Sequence, residues 1–354
     1  MARKRWFRAR GRQGSQLKGS DPWWAGLARE ELLDLRFCEL KVDVPTTVLG
    51  DRVRTVLDEL AATGLRFRPY VWFSTDWFTP DGFTGFAVPF YLAHPRLVRL
   101  ERNQMFDVEG GTHDSCLKLL RHEVGHALDH AYRLRRRRAF REVFGKVSVP
   151  YRESYAVDPD SRRFALNLDQ WYGQSHPVED FAETFAVWLN PESRWRERYR
   201  GWPALAKLEF VDDLMHELAD ELPVVRTRER VDSIANLRTT MRDHYRKKRA
   251  HYEVELPSIH DASLRRVFDA HGKRREAAGT FLRRRRGALR RRVAAVTGEP
   301  PYIVDQLLNE LIPRCRRLEL RLRGPAREAE VDVAVLLASL ATKLVGGAPQ
   351  HYCR

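Results

Sequence analysis

Cysteine is scarce and scattered. Cys38, Cys116, Cys315 and Cys353 are the only four in 354 residues, and no C-x-x-C pair occurs. That excludes a disulfide framework and a cysteine-held metal cluster, leaves four free thiols, and makes the cytoplasm the expected compartment. Long apolar runs are missing too. Nothing approaches the roughly 18 residues of a membrane-spanning helix, so no membrane span is expected. The opening Met1-Ala2-Arg3-Lys4-Arg5 leads into no hydrophobic stretch of the kind a secretory signal carries. No G-x-x-x-x-G-K-[ST] loop, G-x-G-x-x-G turn, helix-turn-helix, zinc-finger spacing or RNP motif is visible, which removes the nucleotide and nucleic-acid binders that carry such signatures. There is no internal repeat, no sustained heptad and no low-complexity tract beyond arginine runs. Acidic residues fall short of basic ones, 48 against 63, for a net charge of +15, and most of the basic excess is arginine. Hydrophobic content of 43% is ordinary for a folded chain, long enough for one large domain or two smaller ones.

Against these absences one stretch stands out. Leu119 to Tyr132 reads Leu-Leu-Arg-His-Glu-Val-Gly-His-Ala-Leu-Asp-His-Ala-Tyr and contains H-E-x-x-H in His122, Glu123 and His126. Four positions is slightly more than one helical turn, so both imidazoles leave the same face and can share a metal ion. Zinc suits such a pair because it has no redox chemistry and keeps a position open for water, whose pKa it lowers towards neutrality. Glu123 stands beside His122, placed to reach that water rather than the ion. Histidine pairs at this spacing also arise by chance on solvated faces. Here Leu119, Leu120, Val124, Ala127 and Leu128 mark a helix buried beneath a cleft, and Gly125 admits a close neighbour.

A third ligand must come from elsewhere. His130 lies eight residues beyond His122, about 12 Å along a helix axis and too far to share one ion with it. The longer H-E-x-x-H-x-x-G-x-x-H pattern fails, because Asp129 and Tyr132 stand at its glycine and its last histidine. A second helix is expected over His176 to Pro191, with Pro177 in its first turn and Pro191 closing it. Glu179 and Glu183 share one face of it. One carboxylate can bind the ion while the other accepts an N–H from a ligand histidine. Acidic residues near a helix start also complement its dipole, and the upstream H-E-x-x-H decides between these readings.

These residues carry a resemblance. H-E-x-x-H followed by Glu-x-x-x-Glu on a later helix resembles the zincin metallopeptidases whose third ligand is glutamate. The surrounding sequence is similar to a bacterial group of zinc-binding metallopeptidases. The likeness rests on Arg66 to Pro69, Pro89 to Pro95, Glu109 to Thr112, the His122 helix, Gln174 to Ala186 and Gly201 to Leu205, within roughly Leu35 to Tyr252. It implies zinc held by His122, His126 and Glu179, Glu123 as general base, and Glu183 as partner of a ligand imidazole, with His122 as the expected one. Some glutamate zincins place an oxyanion-stabilising tyrosine about two turns before the third ligand. Tyr172 is the candidate here, with a buried structural tyrosine as the alternative. The implied reaction is hydrolysis of a peptide or protein substrate by a zinc-activated water.

The fold expected is α+β, a zincin-like metallopeptidase core of small twisted sheet plus active-site helix, with a helical C-terminal extension. Residues 1-20 read as a basic tail, 21-223 as the core and 224-354 as a basic helical region. Helices are expected over Asp21 to Phe37, Asp51 to Ala62 and Leu205 to Leu222, and a strand over Glu39 to Val44. Further strands are expected over Leu65 to Phe73, Gly85 to Leu92 and Leu97 to Leu100, the middle one either offering an edge to an extended peptide or serving as a sheet strand with no ligand. An irregular stretch follows the Arg135 to Arg138 cluster and runs to Tyr172. Helices are expected again over Phe281 to Val296, Tyr302 to Leu322 and Ala326 to Val345, with a break at Gly298-Glu299-Pro300-Pro301. The basic residues dense between Arg226 and Arg249, with the arginine runs Arg283 to Arg286 and Arg290 to Arg292, open an alternative function, a zinc-containing binding protein whose basic helices take nucleic acid or an acidic partner. Equally, arginine-rich composition yields a merely solvated surface.

Overall fold

The computed structural model describes residues 21–151, 155, 157–252, 261–270 and 275–345; the tail expected over 1-20 lies outside them. Among the described residues helices dominate and two two-stranded sheets accompany them, in keeping with the α+β class.

The run expected as one helix over Asp21 to Phe37 is divided into a 3-10 turn at Trp23–Gly26 and α1 at Arg29–Asp34. Trp24 is fully buried, its indole N–H donating to the Leu40 carbonyl at 3.0 Å. No strand forms over Glu39 to Val44. The segment makes 3-10 turns at Phe37–Glu39 and Val44–Thr46, with Lys41 at φ 49° between them. Leu40 and Val44 are buried through these turns, while the Phe37 and Cys38 amides donate to the Thr239 and Leu237 carbonyls. Helix α2, Val48–Ala62, buries Leu49, Val53, Val56 and Leu60 at helical spacing, and Gly64 at φ 81° takes the chain out of it.

Strands β1, Tyr70–Ser74, and β2, Gly85–Pro89, pair in parallel, Tyr70 opposite Gly85 and Ser74 opposite Pro89. The loop between them folds back onto the other edge of β2, where the Ala87 amide donates to the Phe78 carbonyl at 2.8 Å. All five residues of β2 are buried. The edge expected to receive a peptide is therefore covered by the chain itself. Leu97 to Leu100 is helix rather than strand. It lies in α3, Pro95–Met105, which starts at His94, whose Nδ1 accepts the Arg96 amide at 3.1 Å, and Pro95 fits the first turn.

Helix α4, His113–Tyr132, opens on a reciprocal pair: Thr112 Oγ1 accepts the Ser115 amide and Ser115 Oγ accepts the Thr112 amide. A short helix α5, Arg138–Phe144, interrupts the stretch expected to be irregular. Then come α6 at Pro177–Leu189, α7 at Trp195–Arg198, α8 at Ala204–Leu218 and α9 at Met241–His251. Helix α6 lies directly on α4 at Gly125, where a Cβ would sit 3.1 Å from Ala182 Cα. One apolar core joins these elements, taking Val124 and Leu128 from α4, Phe181 and Phe185 from α6, and Val211 and Met215 from α8. Ile234, Met241 and Tyr245 belong to it as well, so this core does not stop at the boundary expected at residue 224.

A second core runs from Leu264 to Ala341 and is built by α10 at Asp261–Val267, α11 at Ala278–Thr297, α12 at Pro301–Arg317 and α13 at Ala326–Val345. Phe268–Asp269 (β3) and Arg321–Leu322 (β4) pair antiparallel beside it. Gly298, at φ 74°, caps α11, and Pro301 opens α12, as the Gly-Glu-Pro-Pro break anticipates. Tyr302 stacks on Phe106, the residue that ends α3, and the Arg290 guanidinium lies 3.8 Å over the same ring. Most of the arginine run is engaged within the bundle: Arg284 pairs with Glu276, Arg285 with Glu330, and Arg286 and Arg290 both with buried Asp305.

Candidate metal centre

Helical spacing on α4 brings His122 Nε2 and His126 Nε2 to 3.0 Å from each other. Glu179, in the first turn of α6, places Oε2 3.1 Å from both. All three side chains are buried, and their ligand-type atoms form one cluster. The contact at Gly125 makes this possible, because a side chain there would push α6 and its carboxylate away from the histidines. Zinc–nitrogen and zinc–oxygen bonds of about 2.0–2.2 Å in a tetrahedron set neighbouring ligand atoms about 3.3 Å apart, so the three atoms need to part only slightly to hold the ion. The donor set fits zinc.

Around this cluster each side chain is fixed. His122 Nδ1 lies 2.9 Å from Glu183 Oε1. Glu183 is itself held by three donors: the Asn167 side-chain amide at 3.1 Å, the Asn167 backbone amide at 3.2 Å and the Leu168 amide at 2.8 Å. A carboxylate so placed can only accept, so His122 carries its proton on Nδ1 when neutral and turns its Nε2 lone pair to the cluster. Burial alone would lower the proton affinity of His122. Glu179 and Glu183 outweigh it and push the imidazole up to about 10. Burial acts against the charged form of Glu179, and the two histidines reverse that, holding its carboxyl well below the usual range.

Glu123 is fully buried and keeps out of the cluster. Its Oε2 accepts the Thr79 hydroxyl at 2.8 Å, while Oε1 has no hydrogen-bond partner among the described residues. A buried carboxylate oxygen without a donor is costly and marks a place where water or substrate bonds. Burial raises its carboxyl's proton affinity, with both histidines opposing.

Of the residues singled out from sequence, His122, His126, Glu179, Glu183 and Glu123 come together here. His130 does not; its Nδ1 accepts the Gly82 amide at 3.1 Å, a turn farther along α4. Tyr172 is buried with its ring centre 5.8 Å from that of His122. A second tyrosine places its hydroxyl on the cluster. Tyr151 donates to Glu179 Oε1 at 2.9 Å, and its ring stacks 3.9 Å from His176. His176 in turn caps α6 by accepting the Val178 amide and bonds the Val149 carbonyl through Nε2. Thr79, Tyr151, Asn167 and Leu168 escape the sequence reading, since each lies in a loop with no periodic signal. Tyr155 follows in the same loop as Tyr151, and burial with the Glu183 and Glu179 carboxylates raises its hydroxyl to about 12.

No curated protein and no solved structure matches the chain. Residues 109–193, the stretch holding both α4 and α6, match the model of a family described as "Putative zinc-binding metallo-peptidase".

Proposed function

We propose that this chain is a zinc-dependent peptidase of the zincin type, with His122, His126 and Glu179 as ligands. The observation that carries the reading is the convergence of those three buried atoms within 3.1 Å, beside a Glu123 oxygen that has no partner among the described residues. The family match over the same stretch supports peptide hydrolysis as the reaction. When bound, zinc would supply Lewis acidity to the scissile carbonyl and acidify water at its open position. Glu123 Oε1 would take the proton from the attacking water and deliver it to the leaving amine, while Thr79 holds Oε2 still. Glu183 would keep His122 in its ligand tautomer, and Tyr151 would hold Glu179 Oε1 so that Oε2 stays turned to the histidines. Tyr172 is proposed to steady the developing oxyanion, a role its closeness to His122 supports. Free thiols at Cys38, Cys116 and Cys315 support a cytoplasmic setting, and among the described residues no helix is long and apolar enough to cross a membrane.

Hydrolysis of a mixed peptide pool, followed by mass spectrometry, tests the reading. Wild type should cleave, and Glu123→Gln should retain zinc and lose activity by about 10²–10⁴-fold. Cleavage unaffected by Glu123→Gln would refute it. The nucleic-acid alternative draws no support from the structure: within the arginine runs, Arg284, Arg285, Arg286 and Arg290 are taken up by Glu276, Glu330 and Asp305.

A further inference from the structure

Beyond the cluster, α4 runs on from His126 to His130, about 6 Å farther along the helix axis. The loop that covers β2 follows it: Thr79 bonds Glu123 and the Gly82 amide bonds His130 Nδ1. Loop and helix thus run side by side from the proposed general base to His130. At that far end lies a cavity of about 440 Å³, lined by Asp81, Gly82, His130, Arg133, Arg135 and Arg136 among others.

Its polar groups are arranged for an anion. Arg135 spends Nε on Asp129 at 2.6 Å and Nη1 on Asp81 at 3.2 Å, leaving Nη2 facing His130 Nε2 at 3.3 Å. Because His130 Nδ1 accepts an amide, its single proton sits on Nε2. Burial and neighbouring Arg135 keep the ring neutral, its pKa pushed down to about 3. Two N–H donors therefore face each other and cannot satisfy one another. The exposed Asp81 carboxylate lies beside both, 3.7 Å from His130 Nε2 and 3.2 Å from Arg135 Nη1, and a carboxylate placed between the two donors would bond them directly. At the rim, Arg133 and Arg136 are exposed and make no ion pair with any described residue. Three arginines stand against Asp81 and Asp129, so the lining is net positive.

Building on the peptidase reading, we propose that this cavity is a carboxylate-binding subsite, in which His130 Nε2 and Arg135 Nη2 grip one carboxylate of the substrate peptide. That carboxylate belongs either to the peptide's C-terminus or to an aspartate or glutamate side chain.

The test uses full-length, zinc-loaded Glu123→Gln protein as a non-cleaving trap and measures its affinity for four pools of N-acetylated hexapeptides. The pools end in a free acid or an amide, each with or without Asp and Glu. Pools bearing a carboxylate should bind about tenfold tighter than the fully neutral pool, the worth of one hydrogen bond to a charged group. Preference for the free-acid pool lacking Asp and Glu assigns the C-terminus; preference for the amidated Asp/Glu pool assigns a side chain. His130→Phe should abolish the preference without changing net charge. Arg133→Glu with Arg136→Glu, both at exposed positions that leave packing intact, should abolish it while neutral peptides bind as before. Equal binding of charged and neutral pools, a preference that survives these variants, or retention of no pool would overturn the subsite. Zinc content of the same samples separates the two readings: zinc present with no preference removes the subsite alone, and zinc absent removes the peptidase reading with it.

Discussion

Glu183 shows how much of this site depends on a residue that need not touch the ion. Its Oε2 accepts two backbone amides, so the NH₂ of glutamine at that position would face donors, and His122 would lose its negatively charged anchor. Glu183→Gln should weaken zinc binding by about 10–100-fold, read by competition with a chelating dye. The proton on His122 sets a pH dependence. In chelator-treated protein the imidazole is held protonated up to about 10 by Glu179 and Glu183, against burial. Zinc must expel that proton, so apparent affinity should fall as pH falls below this value, by about tenfold per unit for each proton displaced. Affinity unchanged between pH 6 and pH 9 would contradict the assignment of His122. That the two histidines share a face beside Glu123 was legible because residues four apart on a helix lie on one side of it. Glu183 was legible for the same reason on α6. Thr79, Tyr151 and Asn167 were not, since each reaches the site along a loop path that no local pattern encodes.

At the scale of elements, the site depends on how closely α4 and α6 approach. Gly125→Val should lower stability by about 1–3 kcal/mol in urea denaturation, because the added carbons meet the Ala182 backbone and the Phe185 ring, and backbone cannot turn aside. A neutral substitution there would mean the two helices are not in contact. His94-Pro95 and His176-Pro177 teach a related lesson. Each histidine accepts the amide two residues on, each proline fills the first turn, and both pairs start helices. The second was read as a helix start from its acidic residues and its proline. The first was missed because Leu97 to Leu100 is short and apolar, and such runs do not separate strand from helix by periodicity. The strand expected over Glu39 to Val44 failed for a comparable reason: Leu40 and Val44 alternate into the core through turns, which burial patterns alone cannot distinguish from pleating.

At the scale of the whole molecule, composition spoke least clearly. The net charge of +15 pointed towards anionic partners, yet much of the arginine run closes ion pairs among α11, α12 and α13, with Asp305 taking two guanidiniums. Charge counts cannot tell a solvated or paired arginine from one reserved for a ligand. The break at Gly298 to Pro301 was readable because glycine and proline act locally. Where the first core ends was not, since residues 224–252 return to it through contacts distant in sequence, such as the Ile234 amide on the Phe73 carbonyl. What joins these scales is a His-His-Glu cluster, contributed by two helices of that core, that could hold a metal ion. The most direct measurement is zinc content by elemental mass spectrometry on the full chain and on Glu179→Ala, both purified without added metal. The account predicts close to one zinc per chain in the wild type and little in the variant. A folded wild type that holds no zinc even after reconstitution, or a variant that holds as much as wild type, would contradict it.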